Sequence, residues 1–295
     1  MSVRSVVAVA VLVAVPAVPA VADIAPGVVT AGAGFAPPLD DKAAQQIEMK
    51  SEHVVLEVVD DAAGPFVVVD ATFKMAGPKA GRTLNVVFPG EGVMVGGAYV
   101  THPRLVGFMA FVDDKPVASK DNTKTHSTQA GPPGREYTKT RTETWHAFSA
   151  PIDDDTTVRV RYAIAAESYG DADTGAAPHA RAQYILHTGA LWAGKIGAAT
   201  IEVKGRGVDV KKTSLRTLSM SPPSLVSLSG PGAPPPVAPA GATRTPTSIV
   251  FTQTNLEPKD EDDVEVVFPS AHAENAWGRV SDALAAAMLA AVRAR

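Results

Sequence analysis

Val158-Arg159-Val160-Arg161-Tyr162-Ala163-Ile164 decides the fold. Val158, Val160, Tyr162 and Ile164 fall at every second position and share one face, and Arg159 and Arg161 are expected to face water. A period of two belongs to a strand, whose side chains alternate across a sheet. An alternation this clean implies one solvated sheet face, and therefore antiparallel sheets not covered by helices. The same period runs upstream, where Val67, Val69, Ala71, Phe73 and Met75 alternate with Val68, Asp70, Thr72 and Lys74. Val54, Leu56 and Val58 alternate with Val55 and Glu57, and Gly64-Pro65 and Gly77-Pro78 separate the runs as turns.

Further strands are predicted at 84–88, 105–112, 140–148, 183–187, 199–203, 214–218, 248–254 and 264–268. Asp113-Asp114-Lys115-Pro116 closes one of them as a turn. Residues 116–140 are polar and uneven and read as a long exposed loop, and 168–179 reads as a second break. No helical period occurs between 45 and 268. The expected fold is all-β: two β-sandwich, immunoglobulin-like lobes at 45–167 and 180–268, with a Pro-rich loop at 222–247 in the second. A single large sandwich is the alternative. The C-terminal segment 269–295 differs in texture. Trp277, Val280, Leu284, Met288 and Val292 recur at three and four, with Arg279, Asp282 and Arg293 on the other side, as in an amphipathic helix docked on the sheets.

The N-terminus points to export. Arg4, the apolar run 6–15 and Ala20-Val21-Ala22 are the three parts of a secretory signal peptide, predicted over 1–22 with cleavage near Ala22. The run is too short for a membrane crossing, which takes about twenty residues. Residues 23–44, rich in Ala, Pro and Gly, form a linker. The expected location is the periplasm or the extracellular space, with no transmembrane segment in the mature chain. With no cysteine, lipid attachment at a mature N-terminal Cys, disulfides and thiol chemistry are all excluded. The remaining chain of about 270 residues must fold on its hydrophobic core. The net charge of −4 and the lack of a basic stripe make nucleic acid and anionic membrane surfaces poor partners.

Catalytic signatures are missing from the sequence. There is no Gly-x-Ser-x-Gly elbow, His-Glu-x-x-His helix, Walker loop or dinucleotide fingerprint. The seven histidines stand singly, so no metal site is predicted, and no cofactor is expected. Asp171-x-Asp173-x-Gly175 resembles the opening of a calcium loop but lacks the closing ligands. Asp153-Asp154-Asp155 and Asp260-Glu261-Asp262-Asp263 suit turns. Trp145, Tyr184 and Trp192 are candidate binding residues, because an exposed aromatic face can stack on a sugar; a Trp in a sandwich more often fills the core. Asp113, Glu143 and Asp171 are the carboxylates available to a hydrolase assembled from distant loops.

The segment Gln183-Tyr184-Ile185-Leu186-His187-Thr188-Gly189-Ala190-Leu191-Trp192-Ala193-Gly194-Lys195-Ile196-Gly197 is distinctive, and it is followed by the strand 199–203 and later by Val264-Glu265-Val266-Val267-Phe268. Together with Asn255-Leu256-Glu257-Pro258, Phe88-Pro89 and Phe108-x-x-Phe111-Val112-Asp113, it resembles an uncharacterised family of exported bacterial proteins over about 45–268. The resemblance implies an exported β-rich protein and brings no catalytic residues. Two functions are compatible with the sequence: a non-catalytic binding or structural protein whose partner is an unknown protein or envelope component, and an envelope-polymer hydrolase.

Overall fold

The computed structural model describes residues 25–26, 46–77, 82–91, 105–130, 137–169, 178–186, 189–190, 192–217, 219, 236–273 and 280–294. The signal segment 1–22, most of the linker and Trp277 lie outside them. The described residues are rich in strand, and an α-helix, α1 (Asp282–Arg293), stands near the C-terminus. The expectation of a β-rich chain with a C-terminal helix holds at that level.

The period-two runs form long strands. β2 (Glu48–Asp61) and β3 (Gly64–Ala76) make a hairpin, following a two-residue β1 (Ala25–Pro26) and preceding β4 (Arg82–Glu91). β5 (Leu105–Val112) and β6 (Lys115–Val117) are joined by Asp113 and Asp114, whose φ of 48° and 62° give the left-handed backbone of a tight hairpin turn. Then come β7 (Lys120–Ala130), β8 (Tyr137–Ile152), β9 (Thr156–Ala165), β10 (Glu167–Tyr169), β11 (His179–Tyr184) and β12 (Ile196–Arg206). β13 (Ser214–Thr217), β14 (Thr243–Arg244), β15 (Ser248–Leu256) and β16 (Val264–Pro269) complete the set.

Among the described residues the strands form three sheets. The large one has eight strands in the order β14-β15-β12-β2-β3-β9-β5-β6, and two four-stranded sheets run β1-β4-β8-β7 and β10-β11-β16-β13. One apolar cluster joins the three: Val54, Val69, Phe73 and Val160 of the large sheet, Phe148 and Ile152 of β8, and Tyr184, Val266 and Phe268 of the small β10–β13 sheet. A second cluster lies on the opposite face of the large sheet, where Leu284, Met288, Ala291 and Val292 of α1 cover Val59, Phe66, Val68, Ala163 and Ala165. The helix starts cleanly because the Ser281 hydroxyl accepts from Leu284 N at 3.1 Å. Among the described residues no helix is long and apolar enough to cross a membrane.

Four expectations are corrected. Much of the stretch 116–140 is strand and not loop: Lys120–Ala130 forms β7, which pairs with β8 from Lys120↔Ala147 to Ala130↔Tyr137, while 131–136 lie outside the described residues. β7 is polar at nearly every position, so it carries no hydrophobic period, and its pairing partner makes it a strand. The division at 168–180 does not separate the sheets. β12, from the expected second lobe, pairs with β2 of the first from Ala198↔Ser51 to Arg206↔Val59. That pairing is parallel, so the sheets are not wholly antiparallel. Finally, Arg161 does not face water. It is 2% exposed, with its Nε 3.3 Å from the Asp70 carboxylate that lies opposite it in register. Arg159 reaches the same carboxylate with two hydrogen bonds of 2.7 and 2.6 Å, and this shared carboxylate compensates the charge that the packed face encloses.

Candidate functional site

A bulge in β5 organises one hollow among the described residues. Val106 pairs with Ala163 and Met109 with Arg161, so three steps along β5 match two along β9. The extra residue is accommodated at Gly107, whose φ is +72°. A Cβ there would lie 3.1 Å from Leu289 Cδ1 of α1, so glycine serves both the backbone twist and the close approach of the helix. The Phe108 ring stacks on the His146 imidazole, centroids 4.6 Å apart and planes 5° from parallel. Phe148 and Tyr162 surround the same ring at 6.2 and 6.4 Å.

His146 is 8% exposed and sits directly opposite Asp121 across the β7–β8 ladder. Its Nδ1 is 2.6 Å from Asp121 Oδ1. A carboxylate accepts, so Nδ1 carries the proton and donates, which leaves Nε2 as the ring atom able to meet a ligand. The Asp121 side chain is 66% exposed and forms the mouth. The hollow, of about 600 Å³, is completed by Leu105, Val106 and Ser119, and by Ala285 of α1. The lining sets the polar groups of Ser119, Asp121 and His146 beside Leu105, Val106 and Phe108, and convergent polar groups are what fix a ligand's orientation.

A second polar locus lies inside the fold. Glu52 is buried on the inward face of β2, and its Oε1 accepts from the Tyr184 hydroxyl at 2.8 Å. Burial pushes its carboxyl up to about 8, partly offset by the Tyr184 hydrogen bond and reinforced by the charge of Asp263. Asp263 accepts from Leu186 N at 2.8 Å.

The residues singled out from sequence are dispersed. Tyr184 and Trp192 are 2% and 4% exposed, so neither offers an open ring to a ligand. Trp145 and Glu143 belong to β8, on the stretch 122–145 whose side chains lie outside the described residues. Asp171 and Asp173 lie outside the described residues altogether. Asp113 is an exposed turn residue whose carboxylate accepts from Thr157 N at 2.8 Å. Asp153 is likewise a turn residue, and hydrogen bonds from Asp155 N and the Thr156 hydroxyl hold its carboxyl below the usual range. Among the described residues no three His, Asp or Glu side chains converge as metal ligands. In the distinctive 184–197 segment, Gly194 has φ +68° and Gly197 packs where a Cβ would meet Lys50 O at 2.4 Å, so β12 approaches β2 only with glycine at 197. Sequence reading missed Phe108, Asp121 and His146. The available signal was Gly107 interrupting an apolar strand, which marks a bulge.

No family model matches the chain, and no curated protein matches it. Among solved structures it is similar to a candidate nutrient-binding protein of Legionella pneumophila, with a TM-score of 0.48 and 16% identity over 83% of this chain and 70% of that one. It is also similar to an M1 zinc metallopeptidase of Deinococcus radiodurans (TM-score 0.36, 12% identity, 76% of this chain and 43% of that one). A third likeness is to leukotriene A4 hydrolase of Saccharomyces cerevisiae (TM-score 0.37, 7% identity, 76% and 29%). The chain spans less than half of either enzyme. These likenesses are too distant to transfer an activity.

Proposed function

We propose that the chain is an exported, non-catalytic binding protein of the bacterial cell envelope, and that its ligand occupies the hollow between β5, β7, β8 and α1. The observation carrying the reading is the Phe108–His146–Asp121 arrangement, in which an aromatic floor, an oriented imidazole and an exposed carboxylate line one concavity. The basic, apolar and small-residue parts of 1–22 support export. The 184–197 segment supports kinship with the uncharacterised exported family. The partner is a protein or envelope component that presents hydrogen-bonding groups to Asp121 and His146 and an apolar patch to Phe108.

The test is a comparative pull-down from envelope extract, using the mature chain and its Asp121→Ala variant. A component retained by the wild type and lost by a folded variant supports the site. Identical recoveries from both refute it. Intact mass of the protein from its native host should show a chain starting within a few residues of Asp23, and recovery of the full-length chain from the cytoplasm would exclude export.

One observation favours a second reading, an envelope hydrolase: Ser119 lines the same hollow as the His146–Asp121 pair. Serine, an oriented histidine and a carboxylate are the residue types of acyl transfer. A fluorophosphonate probe should then label Ser119 and should fail on Ser119→Ala. An unlabelled wild type leaves the binding reading.

A further inference from the structure

We propose, resting on the reading of the hollow at His146 as a binding site, that its ligand is a primary ammonium carried on an alkyl chain, the chemistry of a lysine-type side chain. Ser119, Asp121 and His146 supply the polar side chains of the lining, and among the described residues that line the hollow Asp121 is the one Asp, Glu, Lys or Arg. Lys120 stands between Ser119 and Asp121 in the chain. Strand alternation places it on the other face of β7, where its register partner is Ala147 and not His146.

The bonds already made decide what these groups can offer. His146 donates its Nδ1–H to Asp121 Oδ1 at 2.6 Å, so Nε2 of the neutral ring is an acceptor. The imidazole is held in that attitude twice over, by this bond and by the Phe108 ring stacked on it with centroids 4.6 Å apart. It is also 8% exposed, so the acceptor is preorganised and few waters compete for it. The Asp121 carboxylate takes one bond from His146 and has a second oxygen at the mouth, where its side chain is 66% exposed. The polar side chains are thus two acceptors and a hydroxyl, under a net negative charge.

A carboxylate or phosphate ligand would meet repulsion here and no cationic donor. A neutral alcohol brings one donor. An alkylammonium brings three N–H donors and a positive charge, and charge-assisted hydrogen bonds are about twice as strong as neutral ones. Leu105, Val106 and Phe108 line the same hollow and give the methylenes of an alkyl chain a surface to cover, as a lysine stem does when its charged head stays in a polar setting.

The experiment follows the His146 ring resonances of the intact chain, identified by their loss in His146→Gln. The probes are n-butylammonium, n-butanol and butyrate at matched ionic strength and mildly alkaline pH, where an ordinary imidazole is neutral and an alkylamine still charged. Butylammonium should saturate the shift at a concentration at least about tenfold below butanol, and butyrate should leave it unmoved. Asp121→Asn keeps an oxygen for the His146 N–H and loses the charge, and it should weaken butylammonium by about tenfold without changing butanol. Nα-acetyl-lysine amide should bind at least as well as butylammonium, and glucosamine less well. Equal saturation by butanol, a preference for butyrate, or an unchanged butylammonium affinity in Asp121→Asn overturns the assignment; the wild-type comparison decides it alone if the variant does not fold. Glucosamine ahead of the lysine amide overturns the alkyl chain. If butylammonium leaves His146 unmoved while the envelope pull-down still separates wild type from Asp121→Ala, the ammonium assignment alone fails. If the pull-down recoveries are identical as well, the hollow fails as a binding site.

Discussion

Gly107→Ala tests how the hollow is built. The substitution meets two separable penalties. At φ +72° an alanine enters the left-handed region, which costs about 1–2 kcal/mol for an L residue. Its Cβ also meets Leu289 Cδ1 at 3.1 Å, while Val292 at 3.5 Å is in ordinary contact. The Leu289 atom ends a flexible side chain, so this second penalty should be about half a kcal/mol, the cost of a modest rotamer shift. Gly107→Ala should therefore lower stability by about 1.5–2.5 kcal/mol, read as a shifted urea midpoint at unchanged slope. A double-mutant cycle with Leu289→Ala should recover only the smaller part, since shortening Leu289 removes the contact and leaves the backbone strain. Stability unchanged within about 0.5 kcal/mol, an ordinary surface effect, would refute the argument. It would mean that β5 passes His146 without the bulge, and the Phe108–His146 stack would lose its backbone cause. Full recovery in the cycle would refute the strain account alone.

Trp192→Ala should cost about 3–5 kcal/mol, because it removes a large buried ring and leaves a cavity; a midpoint shift below about 0.5 kcal/mol would place the ring at the surface. Asp70→Ala should cost about 3–5 kcal/mol by removing the carboxylate shared by Arg159 and buried Arg161, and a paired Asp70→Leu, Arg161→Met variant should be milder; equal losses from both would show that packing and not charge is at stake. Wild-type stability should decline as pH rises from about 5 to 8, since the Glu52 carboxyl is raised in the fold, and Glu52→Gln should be more stable than wild type at pH 8 by several kcal/mol; a variant no more stable there contradicts the raised value. His146→Ala should lose both the Asp121 bond and the Phe108 stack and cost about 1–3 kcal/mol, measured by thermal unfolding.

Legibility followed hydrophobic contrast. β2, β3 and β9 were readable because an apolar core face alternates with Asp70, Thr72, Arg159 and similar residues. The α1 stripe was readable for the same reason, with Leu284, Met288 and Val292 recurring at helical spacing on the buried side. β7 was not, because Lys120-Asp121-Asn122-Thr123-Lys124 has no apolar face to reveal its period. The parallel β12–β2 pairing could not be read, since a strand pattern states which face is buried and not which neighbour lies beside it. Arg161 misled because alternation marks it as outward-facing. Outward is not the same as solvated once Asp70 and the neighbouring helix occupy that face. The hollow escaped because its polar groups sit on β7 and β8 and its glycine on β5, and only the bulge register brings them together.

The β12–β2 pairing also sets an order of events during synthesis. β2 lies near the start of the described chain, yet the strand that completes its far edge ends at Arg206. Until that residue has emerged, the β2–β3 hairpin presents an unpaired, hydrogen-bond-hungry border from Ser51 to Val59. Partners so distant along the chain close late, after a large loop entropy has been overcome. The nascent N-terminal half is thus a natural client for a holding chaperone, and any chain that stalls before residue 206 should aggregate through that border, whichever compartment it folds in.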